Sequence, residues 1–209
     1  MPLIVKICGL STPDTLDAAL GAGADMVGFM FFPPSPRNVS LHAARELGAR
    51  VNGRAEKVAV TVDADDATLA GIVDVLKPDL LQLHGKETPA RVSAIHQRFA
   101  VPVMKVLAIE TKADLGAIPL YTRVADRLLF DAKAPREATR PGGLGKPFDW
   151  HLLENLDLSI PFMLSGGLHA GNVAEALAIT RAPGVKDPEK IRAFIRAARA
   201  SHVAGTAVG

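Results

Sequence analysis

One cysteine, one tryptophan and one tyrosine occur in 209 residues, and aromatic side chains make up only 5% of the chain. A lone cysteine excludes an intramolecular disulfide and a zinc site built from several thiolates. No run approaches the roughly 18 apolar residues of a membrane helix. The N-terminus lacks a basic segment followed by an apolar core and a small-residue cleavage site, so no signal peptide is expected. Charge of one sign is also lacking: 24 Lys and Arg stand against 22 Asp and Glu, a net +2. No basic block interleaves with aromatics, which leaves nucleic acid without support as a partner. His42, His96, His151, His169 and His202 show no metal-ligand spacing with acidic residues; they are read as surface residues, and no metal is expected. These absences describe a cytoplasmic chain that contacts neither membrane nor nucleic acid, as a monomer or homodimer.

What the chain does have is aliphatic bulk. Apolar residues make up 48% of it, and Ala, Val, Leu and Ile carry that load, as in helices packed around buried parallel strands. The length suits one domain over 1–209, with 201–209 small and polar enough to fray. Short apolar runs alternate with amphipathic stretches, the pattern of repeated βα units. The runs predict strands at Leu3–Cys8, Met26–Phe31, Lys57–Val62, Leu80–His84, Val103–Leu107, Arg127–Asp131 and Pro161–Ser165. Helices open at Thr12-Pro13 and Thr88-Pro89, where a capping hydroxyl precedes proline at the first helical position. Gly21 and Gly23 close the first helix. A further helix lies near Asn172–Thr180 and a last one runs from Pro188 to about Ala200. The implied fold is an α/β barrel of eight βα units, with its eighth strand in question. Between the last two helices, residues 181–187 include Pro and Gly and look too few for a strand and both of its loops.

Active sites of such barrels gather at the C-terminal ends of the strands. Cys8, Asp63, His84, Asp131 and Ser165 each end a predicted strand. Alternation puts Lys6 and Cys8 on one face of the first strand, and Leu129 and Asp131 on one face of the sixth. A buried lysine there needs a partner. Taken alone, Cys8 on an apolar strand reads as inert packing, and Asp131 as a cap or turn residue. Asp63 either lines the mouth or caps the third helix, with the cap preferred.

Six blocks taken together carry a family resemblance. They are Val5-Lys6-Ile7-Cys8-Gly9-Leu10; Gly28-Phe29 with Ser35-Pro36-Arg37; Gln82-Leu83-His84-Gly85; Phe130-Asp131-Ala132; Gly142-Gly143-Leu144-Gly145 with Phe148-Asp149-Trp150; and Ser165-Gly166-Gly167-Leu168 with Asn172-Val173. In this order and spacing, over roughly residues 4–178, the chain closely resembles phosphoribosylanthranilate isomerases. The resemblance implies a cofactor-free Amadori rearrangement of a phosphosugar in tryptophan biosynthesis. N-(5-phosphoribosyl)anthranilate becomes 1-(2-carboxyphenylamino)-1-deoxyribulose 5-phosphate. An acid protonates the ring oxygen and opens the ribose; a base then removes the acidified C–H. The resemblance makes Asp131 the acid and Cys8 the base. Such an acid needs a pKa above the usual value of about 3.9, for which Phe130 and Leu129 are candidate desolvating neighbours. Such a base needs a nearby cation or oriented N–H groups. Arg37, in the stiff loop Pro33-Pro34-Ser35-Pro36-Arg37, is implied to grip the anthranilate carboxylate; otherwise it is a solvated loop arginine. His84 shapes the site or is a satisfied histidine. Gly166 and Gly167 hold phosphate through backbone N–H groups, or form only a tight turn. Gly143 and Gly145 belong to a long sixth loop, read as a mobile cover or as flexibility without a role.

The chain departs from the family at one place. Relatives carry a strand and loop of the form Asp-x-Ser-Ser-Gly-x-Glu where about a dozen residues are absent here. The expectation is a missing stretch between Arg181 and Lys186, with a broken chain and a strand-wide gap between strands one and seven. Three other functions compete. Indole-glycerol-phosphate synthase needs a catalytic lysine and glutamates at strand ends, and Cys8 has no counterpart there. Ribulose-phosphate epimerase needs metal-binding histidines and acids on adjacent strands. A non-catalytic phosphosugar-binding barrel fits a damaged eighth strand but not the presence of both proton-transfer residues.

Overall fold

In the computed structural model, residues 3–135, 137–138, 142 and 147–187 are described. Eight parallel strands follow one another around a closed barrel: β1 (Ile4–Cys8), β2 (Met26–Phe31), β3 (Glu56–Thr61), β4 (Leu80–Leu83), β5 (Val103–Ile109), β6 (Arg127–Ala132), β7 (Phe162–Leu164) and β8 (Gly184–Asp187). Between them lie α1 (Pro13–Gly21), α2 (Leu41–Val51), α3 (Asp66–Leu76), α4 (Pro89–Phe99), α5 (Ile118–Tyr121) and α6 (Val173–Thr180). Short 3-10 turns at Lys112–Ala117 and Trp150–Leu153 complete the connections after β5 and β6.

Alternation along the strands separates two cores. Val5, Ile7, Val27, Phe29, Leu128 and Phe130 pack outward, with the helices. Met26, Val58, Leu80, Met104, Leu129 and Met163 fill the barrel interior, and Cys8 belongs to this inner set. Both strand faces are therefore dry, which is why the strands read as unbroken apolar runs. Helix starts follow their caps. Thr12 forms a reciprocal box with Thr15, and the Ser40, Asp65 and Thr88 side chains accept from the third helical N–H. Asp65, not Asp63, caps α3. The Asp63 backbone instead turns left-handed at φ 49°, and its carboxylate accepts the Lys86 N–H at 2.6 Å.

The eighth strand corrects the expectation of a gap. The chain runs continuously from Arg181 through β8, which pairs with β1 over Ile4–Ile7 and with β7 at Leu164↔Val185. Two features make seven residues suffice. Arg181 takes a left-handed φ of 51° and ends α6 at once, and the Pro183 carbonyl accepts the Ile4 N–H at 3.0 Å. Proline costs nothing there, because it stands just before the strand where no N–H is required. The helix expected after Pro188 and the tail at 201–209 lie outside the described residues, as do Gly143, Gly145 and His202.

Candidate active site

The C-terminal ends of β1, β4, β6 and β7 bring most of the predicted residues together. Cys8 projects into the barrel and is 3% exposed; it forms no disulfide. Lys6, one layer below on the same face, is completely buried. Both depend on Gly28, which is paired with Cys8 across β1 and β2. A Cβ on Gly28 would stand 2.9 Å from Cys8 Sγ and 3.0 Å from Lys6 Nζ. By the triangle those two distances make, sulfur and ammonium are less than about 6 Å apart, within the range over which an opposite charge acts on an ionisable group. Gly28→Val is expected to destabilise the fold by about 1–3 kcal/mol, the range for overpacking, and to change the rate at which iodoacetamide alkylates Cys8. Urea unfolding and alkylation both read this out, and wild-type values in both would show that β2 tolerates the side chain.

Asp131 shares the inward face of β6 with Leu129, and is 2% exposed. Its surroundings differ from the sequence expectation. Phe130 points away, its ring 5.4 Å from that of Phe162 in the outer core. The groups that meet the carboxylate come from other strands. Oδ1 accepts from Ser165 Oγ at 3.0 Å and from the Ala132 N–H at 3.0 Å. Oδ2 lies 3.2 Å from His84 Nε2. Behind His84, Gln82 Nε2 approaches Nδ1 at 3.2 Å, and both residues are buried. Gly142 passes directly over the pair: a Cβ there would fall 2.6 Å from Asp131 Oδ2 and 2.7 Å from His84 Nε2.

Arg37 leaves β2 in a loop knitted to itself. Asn38 Oδ1 accepts the Phe32 N–H at 2.7 Å, and Ser35 Oγ accepts the Arg37 N–H at 3.2 Å. The side chain crosses Gly9, immediately after Cys8; a Cβ on Gly9 would sit 2.7 Å from Arg37 Cδ and Nη1. Gly9 has φ 79°, so glycine is required there on both grounds. No carboxylate among the described residues pairs with the Arg37 guanidinium.

After β7, Gly166 and Gly167 take φ of 87° and 62°. The turn is fixed by Asn172, whose Nδ2 donates to Gly167 O at 3.0 Å and whose Oδ1 accepts the His169 N–H at 2.8 Å. Gly166 lies so close to β6 that a Cβ would be 2.7 Å from Ala132 N and 3.2 Å from Asp131 Oδ1. The turn and the carboxylate are thus one packing unit.

His42, His96 and His151 are exposed beside acidic groups, and His169 Nδ1 accepts the Gly171 N–H. Among the described residues no three His, Cys, Asp or Glu side chains gather to hold a metal. No helix among them is long and apolar enough to cross a membrane. Sequence reading placed Ser165 at a strand end without foreseeing its bond to Asp131, and missed Gln82 as a partner of His84; inward parity on β4 was the available signal.

Comparison with known proteins decides the family. The model of the N-(5'-phosphoribosyl)anthranilate isomerase family matches residues 5–197. This chain belongs to that family. The N-(5'-phosphoribosyl)anthranilate isomerase of Bradyrhizobium diazoefficiens is 67% identical, covering 96% of each chain, and that of Nitrobacter winogradskyi is 64% identical over 96% and 95%. The phosphoribosylanthranilate isomerase of Thermotoga maritima superimposes with a TM-score of 0.84 at 29% identity, covering 95% of this chain and 99% of that one. The Bradyrhizobium alignment spans 213 positions but takes in 96% of these 209 residues, so about a dozen of its positions have no residue here. The shortfall agrees in size with the stretch expected after α6 from the family pattern, and the chain nevertheless closes its barrel.

Proposed function

We propose that this chain catalyses the Amadori rearrangement of N-(5'-phosphoribosyl)anthranilate, with Asp131 as general acid and Cys8 as general base. The observation that carries the reading is the convergence of these two buried inward-facing side chains, from β1 and β6, on the mouth of a barrel of this family. A related phosphoribosylanthranilate isomerase, at 25% identity and a TM-score of 0.81, has been solved with reduced 1-(o-carboxyphenylamino)-1-deoxyribulose 5-phosphate bound. Asp131 delivers a proton to the ribose ring oxygen as the C1–O bond breaks, leaving a C1 iminium. Cys8 thiolate takes the C2 proton; those electrons form the C1–C2 double bond, and the iminium pair returns to nitrogen. The enolamine is then protonated at C1 as its hydroxyl proton leaves, giving the ketone. No redox partner is needed.

Arg37 holds the anthranilate carboxylate, and Gly166 and Gly167 offer N–H groups to the phosphate. A thiol used as base suits a reducing cytoplasm. Purified protein should accelerate the loss of substrate fluorescence in proportion to its concentration; a folded protein that binds without accelerating it would return the binding-barrel reading. Arg37→Ala should weaken the reduced product analogue by about 1.5–3 kcal/mol, the range for a hydrogen bond to a charged group. An analogue without the ring carboxylate should lose almost nothing. Equal losses by calorimetry would assign Arg37 a structural role.

A further inference from the structure

We infer that His84 is a positioning residue that acts on the reaction through Asp131, as a fixed N–H donor whose tautomer is set by Gln82. The inference rests on Asp131 being the general acid. Its basis is the occupancy of the carboxylate. Oδ1 already receives two donors, Ser165 Oγ and the Ala132 N–H. The oxygen left to deliver a proton to substrate is therefore Oδ2, the one that faces His84 Nε2 at 3.2 Å.

Gln82 determines what the imidazole presents. Its amide N–H donates to Nδ1 at 3.2 Å. An Nδ1 that accepts cannot carry the ring proton, so neutral His84 carries it on Nε2, toward Asp131. While Asp131 holds its proton, that N–H makes a weak contact with a neutral oxygen. As the proton passes to the ring oxygen, charge develops on Oδ2, and the same contact becomes a charge-assisted hydrogen bond. Donors preset where charge appears lower the barrier without reorganisation. Gly142 covers the pair so closely that no side chain fits there.

Other charged groups of the described residues face the same mouth or are committed elsewhere. Cys8 and Lys6 reach inward from β1, and Arg37 lies over Gly9. Lys105 of β5 is bound to Glu87, and Asp63 to the Lys86 N–H. Ser165 of β7 is uncharged, and His84 is a titratable neighbour in contact with Asp131, 3.2 Å from Oδ2.

The test compares His84→Leu, His84→Gln and Gln82→Leu across pH, with Asp131→Asn as background. His84→Leu should lower kcat about 10- to 100-fold, the worth of one donor to a developing charge, and leave KM nearly unchanged. Loss of a donor to the carboxylate favours its protonated form. A general acid works while protonated, so the limb on which kcat falls with rising pH should move to higher pH in this variant. His84→Gln carries an amide N–H at the place of Nε2, and should recover most of the loss with the limb at its wild-type position. Gln82→Leu should lie between. In the Asp131→Asn background, His84→Leu should add no further loss. An unmoved pH limb in His84→Leu would overturn the inference in favour of a packing role. A Gln variant as impaired as Leu would overturn it in favour of proton carriage by the imidazole. An active Asp131→Asn enzyme would instead remove the acid assignment on which the inference stands, a distinct failure.

Discussion

Cys8→Ala and Asp131→Asn are each expected to lower turnover by about 10²–10⁴-fold, the contribution of a positioned base or acid, while the protein stays folded. Both side chains lie at strand ends where the core gives way to the mouth. Cys8→Ala removes one sulfur atom from the inner cluster, beside Gly28. Asp131→Asn keeps the carbonyl oxygen that accepts from Ser165 and Ala132. Neither change leaves a large void, so a fall in kcat with an unchanged urea midpoint is the expected signature. The two steps are sequential, and the double variant should be little worse than the poorer single one. Near-normal turnover in either variant would mean that another group carries that step.

Lys105→Met is expected to destabilise the protein by about 3–5 kcal/mol, the cost of leaving one member of a buried ion pair alone. Lys105 points outward from β5, and its ammonium meets Glu87 Oε2 at 2.6 Å, with both side chains 3% exposed or less. The ammonium also donates to the Gly85 carbonyl at 2.7 Å. Glu87 in turn accepts from the backbone N–H groups of Asp63 and Gly85 at 2.9 Å, so one carboxylate fastens the loops after β3 and β4. Tyr121 donates its hydroxyl to the Glu87 carbonyl at 2.9 Å; burial, then the Glu87 charge, pushes that phenol above its usual pKa. Removing the lysine leaves a carboxylate with neither water nor a counter-ion. Adding Glu87→Gln should restore part of the loss, because a neutral amide is cheaper to bury. Since Gly85 follows His84 directly, the single variant should also loosen the site. A loss below about 1 kcal/mol in urea unfolding would mean that solvent reaches the pair.

Seven strands were legible in the sequence to within one or two residues at most ends, because buried parallel strands are apolar on both faces. β8 was not. Its four residues follow Pro183 and carry no periodic signal; their strand geometry comes from pairing with Ile4–Ile7 and Leu164, which are remote in sequence. The positions of Cys8, Asp131 and Arg37 were readable through motifs at strand ends. The chemistry around them was not, for a physical reason. Residues adjacent in a strand face opposite ways, so Phe130 says little about Asp131, whereas His84, Ser165 and Gly142 arrive from other elements. Asp63 and Asp65 show the local limit. Both precede α3, and only backbone geometry shows which one meets the Thr68 N–H.

The central claim is that a side-chain base moves hydrogen from C2 as a proton. Its most direct measurement is wild-type turnover of unlabelled substrate in deuterated water, with the product read by mass spectrometry and proton NMR. Deuterium at C1 of the deoxyribulose is the expected result, because the enolamine takes its new hydrogen from groups that exchange with solvent; the Cys8→Ala protein should form labelled product about 10²–10⁴-fold more slowly. A wild-type product with no deuterium at C1, together with undiminished turnover in Cys8→Ala, would point to direct hydride migration from C2 and contradict the assignment of Cys8 as base.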